Sequence, residues 1–334
     1  MIAEAGVNHN GSLDMALKLV DVAADSGADA VKFQTFKAEH IITRSAPKAR
    51  YHLETTGSDE AQSWFELLKS QELTADMHVA LIRRCEERGI LFMSTPYDAE
   101  SADLLDELGV ALFKVASTDL DNLALLDHIA RKRKPIILST GMSTLDEVKV
   151  SVSLIRERGV EGLLVMQCTG EYPAPAQEAN LRAMQTVARE CDVLVGYSDH
   201  FVNPVVAFAA IALGARAYEK HTTLGRWLPG PDHRASIDPS QLQELIMNIR
   251  TIEAALGDGE KRVMPCEQEN RKRLRKSLLA ARDLTAGTVL ASSDIVAKRA
   301  GGRGLPAGRY FDVVGRRLAL SLRVDEPIER DMLD

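Results

Sequence analysis

The chain is short of the residues that mark several whole classes of protein. Only four cysteines occur in 334 residues, Cys85, Cys168, Cys191 and Cys266, far apart and without a CxxC spacing. That excludes a disulfide-built scaffold and a zinc knuckle, and reads as four reduced, structural thiols. Aromatic residues make up 5%, with two tryptophans, so aliphatic side chains must fill the core. No apolar run approaches the roughly 20 residues that cross a bilayer, and no signal peptide is recognisable, so a cytoplasmic location without a membrane partner is expected. Basic residues are not in excess: 41 Lys and Arg stand against 48 Asp and Glu, for a net charge of −7. No nucleic-acid partner is expected, and an anionic substrate has to meet positive charge arranged locally.

What the chain does have is alternation. From residue 1 to residue 257, short β-branched runs alternate with segments of helical period, the pattern of a parallel α/β fold. The strands end near Glu4, Gln34, Thr95, Ser117, Thr140, Thr169, His200 and His221. Between them lie helices such as Ser12 to Ser26, Thr74 to Arg88, Leu145 to Arg158 and Pro204 to Leu213, with Ser12 as a cap and Gly89, Gly159 and Gly214 as stops. Eight such units fit a closed (β/α)8 TIM barrel better than an open sheet. Each strand is apolar through its body and polar at its carboxyl end, where such a barrel builds its site. Lys37 to Leu73 reads as a long loop over that mouth. Met1 to Gly6 already reads as a strand and its turn, so the true start is expected upstream, with Glu4 poorly held near a free terminus. Residues 258–276, including "ENRKRLRKS", read as a charged connector, and 277–334 as a small domain of short strands and turns.

The stretch "GYSDH" places Ser198 and His200 on one face and Asp199 on the other, so these neighbours do not make a Ser-His-Asp triad, and no GxSxG elbow exists elsewhere. In "AYEKHTT", Glu219 and His221 share a face. Adjacent strands lie about 4.8 Å apart, so His200 and His221 can either reach one cation or sit as hydrogen-bonded rim histidines. With two nitrogen ligands and the rest oxygen or water, an open Mn²⁺ or Mg²⁺ site fits better than closed zinc. Lys32 shares a face with Gln34, and Lys114 precedes Ser117. Either lysine can snorkel out or pair with Glu4 or Asp119. Together with Thr95, Ser139 and Ser198 they form a pocket for a compact trianion bearing phosphate and carboxylate. A Schiff-base aldolase is the rival use of a barrel lysine.

The ordered segments "IAEAGVNHNGS", "VKFQ", "STPYD", "KVAS", "PIILSTGMST", "CTGEYPAP", "GYSDH", "EKHTT" and "PGPDH" resemble the sialic acid synthase family. The tail "LLAARDLTAGTVLASSDIVAKRAGGRG" is similar to that family's antifreeze-like (SAF) domain. The resemblance implies a barrel joined to that domain in a domain-swapped homodimer. It also implies metal-dependent condensation of phosphoenolpyruvate with an N-acetylated hexosamine, with N-acetylmannosamine first and a 2,4-diacetamido hexose second. Motif by motif, Lys32, Thr95, Lys114, Ser117, Ser139 and Ser198 would hold phosphoenolpyruvate, and His200 and His221 the metal. Glu4, Gln34, Tyr172 and Asp232 would contact the sugar or the attacking water, and Arg299 would reach the sugar from the other subunit. The segments "TTGSDEAQ" and "CTGEYPAP" look nearer to sialic or legionaminic acid synthases than to pseudaminic ones. Gly170 stands where some members have an Asn that helps hold phosphoenolpyruvate, Asp119 where many have Glu, and the proline usual after the arginine of "KRAG" is missing. A non-catalytic saccharide-binding protein is the alternative from another class.

Overall fold

A computed structural model describes every residue except 49 and 59–61. Eight parallel strands form one sheet: β1 (Ile2–Gly6), β2 (Ala30–Thr35), β3 (Leu91–Pro96), β4 (Phe113–Val115), β5 (Ile136–Ser139), β6 (Leu163–Cys168), β7 (Leu194–Asp199) and β8 (Tyr218–His221). Their order is β3-β2-β1-β8-β7-β6-β5-β4, and the end strands β3 and β4 lie against each other, so the sheet curls into a nearly closed barrel. Helices follow the strands as the period-3.6 segments predict. Ser12 caps Leu13–Asp25 through the Met15 amide, Thr74 caps Ala75–Arg88 through the Met77 amide, and Gly89 ends that helix at φ +65°.

The bore shows why the strand tips are polar. Ile2, Ala30 and Met93 form a buried apolar layer against Leu112, Ile137 and Ala217. Side chains on a strand repeat every two residues, so the next layer up is Glu4, Lys32, Thr95, Lys114, Ser139 and Glu219. An apolar plug closes the bottom of the barrel, and a charged layer sits directly on it. The register tightens this arrangement, because Glu4 lies opposite Lys32 on one side and His221 on the other. Ser198 lies opposite Glu219.

Two readings from the sequence change here, and part of a third falls outside the described residues. Glu4 is firmly held, since β1 pairs with β2 and β8 and the residue is 1% exposed. The segment after β2 is not one loop but carries short helices at Ala38–Ile41, Arg50–Thr56 and Trp64–Ser70; the last begins with a capping box between Ser63 and Glu66. Within "TTGSDEAQ", Asp59, Glu60 and Ala61 lie outside the described residues.

The chain divides into two compact units, Met1–Gly257 and Asp258–Asp334. The second includes the helix Gln268–Leu274 and an antiparallel pair, β9 (Lys276–Ala280) and β10 (Ile295–Arg299). It has its own core of Leu278, Ala280, Leu284, Leu290, Val313 and Ile328 among others. Among the described residues, no helix is long and apolar enough to cross a membrane.

Candidate active site

The charged layer is a network with Glu219 at its centre. Glu219 Oε1 is 3.6 Å from Lys32 Nζ, and its Oε2 is 3.7 Å from Lys114 Nζ. Lys32 also pairs with Glu4 Oε2 at 2.8 Å and donates to Thr95 Oγ1 at 3.2 Å. Lys114 donates to Ser139 Oγ at 2.7 Å, and Ser198 Oγ donates to Glu219 Oε1 at 3.4 Å. Both lysines are 3% exposed and Glu219 is 4% exposed. Burying an unpaired ammonium is expensive, and the two carboxylates are what let both lysines stay inside.

Burial and partners pull these groups in different directions. Burial pushes the Glu4 carboxyl up to about 7, with Lys32 opposing and Glu219 reinforcing the rise. Burial also disfavours ionised Glu219, yet Lys114 and Lys32 outweigh it and hold that carboxyl below its usual value. Burial pulls the Lys114 ammonium down, while Glu219 and Glu4 together lift that of Lys32 despite burial. The network therefore has one firm anion, Glu219, and one carboxyl poised near neutrality, Glu4.

Beside it lie the two imidazoles, with ring centroids 5.5 Å apart. His200 Nδ1 donates to the Thr169 carbonyl at 2.7 Å, because a carbonyl can only accept. In the neutral ring Nε2 then carries the lone pair, which receives the Tyr172 hydroxyl at 2.8 Å. The rings of Tyr172 and His200 lie 3.9 Å apart between centroids. Burial lowers His200 to about 4, and burial with His200 and the nearby lysines holds His221 well below its ordinary value, so both rings are neutral, the form that ligates metals. His221 Nδ1 is buried without a hydrogen bond and lies 3.6 Å from Asp232 Oδ2. Asp232 is pushed up to about 6 by burial.

Gly6 marks where the carboxylates converge. A methyl group built there would lie 3.3 Å from Glu4 Oε1, 3.4 Å from Gln34 Nε2 and 3.7 Å from Asp232 Oδ2. Gln34 Nε2 itself donates to Glu4 Oε1 at 3.3 Å. At φ +53° this turn favours glycine, and a side chain there would crowd three polar groups.

The orphaned His221 nitrogen suits a divalent cation, and His200 Nε2 would join it once the Tyr172 hydroxyl that donates to its lone pair turned aside. Among the described residues no group of three or more His, Cys, Asp or Glu could hold a metal by itself. The donor set therefore fits an ion that takes further ligands from water or substrate rather than a closed protein cage.

Most residues singled out from the first unit meet at this mouth, while Asp119 finds its partners elsewhere and Arg299 belongs to the second unit. Ser117 Oγ accepts from the Gly141 amide at 2.9 Å. Asp119 lies in a 3-10 turn against Thr118 and Asn122 instead of pairing with Lys114, whose carboxylate partner is Glu219. Arg299 ends β10 in the second unit, exposed and in register with Lys276. Two site residues were missed. Glu219 was seen to share a face with His221, but not that it bridges both lysines. Cys168, read as merely structural, places its Sγ 3.8 Å from His200 Nδ1 and lies opposite Ser198. A hollow outside the mouth, about 710 Å³, lies between Leu13–Asp25 and Ala75–Arg88. Most of its charges pair with one another, Lys18 with Asp14 and Arg84 with Asp21 and Glu87.

Fold and rim together define a class: barrel enzymes of the synthase type, with the active centre built on strand tips. Residues 19–261 match the NeuB family and residues 275–334 the SAF domain, so the chain belongs to the NeuB family. It is 44% identical over 330 residues to the N,N'-diacetyllegionaminic acid synthase of Campylobacter jejuni, covering 98% of each chain. It is 41% identical to the enzyme of the same name from Legionella pneumophila, covering 96% of this chain and 91% of that one. Among solved structures it resembles the N-acetylneuraminic acid (sialic acid) synthetase of Leptospira borgpetersenii. That likeness has a TM-score of 0.70 at 33% identity and covers 80% of this chain and 88% of that one.

Proposed function

We propose that this chain condenses phosphoenolpyruvate with an N-acetylated amino hexose in its open-chain aldehyde form, giving a nine-carbon 2-keto-3-deoxy acid and phosphate. The observation that carries the reading is the pair of buried lysines gathered on Glu219 beside two neutral imidazoles. A trianion needs cations that water does not screen. Lys32 and Lys114, with Thr95, Ser117, Ser139 and Ser198 around them, supply charge and donors for phosphate and carboxylate. Gly170 offers no side chain to help.

His200 and His221 would hold Mn²⁺ or Mg²⁺, which when bound supplies Lewis acidity to the aldehyde oxygen. Carbon–carbon bond formation from C3 of phosphoenolpyruvate leaves C2 electron-poor. Water adds there, its proton passes to a base, and the C–O bond to phosphate breaks from the resulting hemiketal phosphate. Asp232 and Glu4 both lie beside Gly6 and carry carboxyls tuned to about 6 and about 7, suited to accept that proton near neutrality. Gln34 and Tyr172 offer an amide and a hydroxyl to the sugar. No covalent enzyme intermediate is required.

The identity with two N,N'-diacetyllegionaminic acid synthases favours a 2,4-diacetamido hexose as the sugar. N-acetylmannosamine is the second reading, favoured by the likeness to the sialic acid synthetase. The reading includes a cytoplasmic homodimer in which Arg299 enters the partner's barrel. Mixing Arg299→Ala with a Lys114→Met chain then restores activity by assembling one intact site, and no restoration removes the sharing.

The test is a panel of 2-acetamido and 2,4-diacetamido hexoses, with and without a 6-phosphate, assayed for phosphate release from phosphoenolpyruvate with Mn²⁺. Release with at least one sugar is expected. Binding of a sugar without release from any would favour the saccharide-binding alternative. Borohydride with pyruvate should trap no adduct on Lys32 or Lys114; a trapped adduct would favour the aldolase.

A further inference from the structure

We propose that Asn8 and Asn10 form a clamp that positions Asp232, holding the segment after β8 so that this carboxylate stays beside His221 and Gly6. The proposal rests on the reading of Asp232 above and assigns a role to a stretch, "VNHN", that the reaction has not used. Asp232 lies between Thr222 and Ile237, on a chain that leaves the barrel and returns to pair with it. Such an excursion is free to shift unless something inside pins it.

Two side chains do so, from the turn that ends β1. Asn8, fully buried, donates through Nδ2 to the Thr222 carbonyl at 2.8 Å and to Ser236 Oγ at 2.9 Å. Ser236 in turn donates its hydroxyl to the Asp232 carbonyl at 2.7 Å and its amide to the same oxygen at 3.0 Å. One amide group therefore ties the start of the excursion to the backbone of the catalytic carboxylate. Asn10 holds the far side, donating through Nδ2 to the Pro229 carbonyl at 2.8 Å and meeting His233 Nε2 at 3.3 Å.

The direction of each bond follows from chemistry. An amide nitrogen can only donate, so His233 Nε2 accepts and Nδ1 bears the proton of the neutral ring. Nδ1 then donates to Thr223 Oγ1 at 2.6 Å, whose hydroxyl donates to the Gly225 carbonyl at 3.1 Å. Gly230 completes the fit: a methyl there would lie 2.8 Å from both Asn10 Oδ1 and His233 Cδ2, and its φ is +142°. Every link needs the Nδ2 donors, not merely the shape of asparagine.

The experiment replaces those donors by acceptors of equal shape, Asn8→Asp and Asn10→Asp, alone and in an Asp232→Asn background. Melting curves confirm that each variant is folded. Each single variant should lower kcat for phosphate release by about 10-fold or more while leaving KM for phosphoenolpyruvate nearly unchanged, since a small misplacement of a reacting group is costly. In the Asp232→Asn background the further loss should shrink to less than about 2-fold, because residues that act as a unit are not additive. The same fold-loss in both backgrounds, no loss at all, or a loss confined to KM for phosphoenolpyruvate would overturn the clamp. Gly230→Ala, which enters the clamp from the loop side, should follow the same pattern and carries the test if an asparagine variant does not fold. If the wild type releases no phosphate with any sugar, it is the proposed reaction that fails. Hydrogen exchange then judges the clamp: faster exchange at Ser236 and its neighbours in Asn8→Asp supports it, and unchanged exchange overturns it.

Discussion

Three consecutive residues of β8 point to opposite sides of the barrel wall and meet opposite conditions. Glu219 and His221 face the bore, where Glu219 Oε2 and His221 Nδ1 are buried without a hydrogen bond. Lys220 faces outward, donates to Asp199 Oδ2 at 3.1 Å and to the Phe201 carbonyl, and shares Asp199 with the Tyr218 hydroxyl and the Phe201 amide. Both clusters are buried and charged. In the outer one Lys220, Asp199 and the Tyr218 hydroxyl answer one another. The inner one keeps donors and acceptors in reserve, as a site must if a ligand is to complete it.

That contrast can be broken most sharply with lysines. Lys114→Met is expected to lower phosphate release by about 100-fold or more, since it removes one of two unscreened cations. Lys220→Met should leave turnover close to wild type but strand a buried Asp199, lowering stability by about 3 kcal/mol in urea unfolding. Equal losses of turnover from the two would erase the distinction between the faces. Next in size is His221→Ala, expected to weaken Mn²⁺ affinity by about 10- to 100-fold in titrations of the metal-stripped protein. Unchanged Mn²⁺ affinity would remove that ligand.

A smaller effect concerns pH. The Asp232 carboxyl sits near 6 in the folded chain, above its ordinary 3.8, so the folded state binds more protons between those values. Its contribution to stability is whole below about pH 4 and is lost as pH rises through about 6. Asp232→Asn should therefore be more stable than wild type above pH 6, by about 3 kcal/mol, while losing activity. A variant that is no more stable at pH 8 would mean that burial does not strain this group. The smallest effect is expected at Cys168, whose thiol burial pushes up. Iodoacetamide should modify exposed Cys266 and spare Cys168, and Cys168→Ser should keep turnover within the same order of magnitude.

The barrel was readable from the sequence because its signal is local. Strand ends fell within two residues of Gly6, Thr35, Pro96, Val115, Ser139, Cys168, Asp199 and His221, since a run of Val and Leu followed by polar residues marks both the strand and its tip. The residues gathered at the mouth could be guessed for the same reason: two-residue periodicity puts Lys32, Lys114, His200 and His221 inside once the bore is known. Pairing across the bore was not readable. That Glu219 answers both lysines depends on β2, β4 and β8 facing one another, which no spacing records. Asp119 is one of the two carboxylates offered as a partner for the lysines, yet the 3-10 turn at Ser117–Asp119 directs it to Asn122. The helices after β2 were hidden because each is short, and the clamp because its partners are more than 200 positions apart.

The account rests on two ammonium groups and two imidazoles serving one reaction at one rim. Anomalous diffraction from crystals soaked with Mn²⁺ and phosphoenolpyruvate tests it directly. The account predicts a manganese peak between His200 and His221 and a phosphate held by Lys32 and Lys114 in the same barrel mouth. Phosphoenolpyruvate bound elsewhere, or manganese at the rim but away from both histidines, would contradict it.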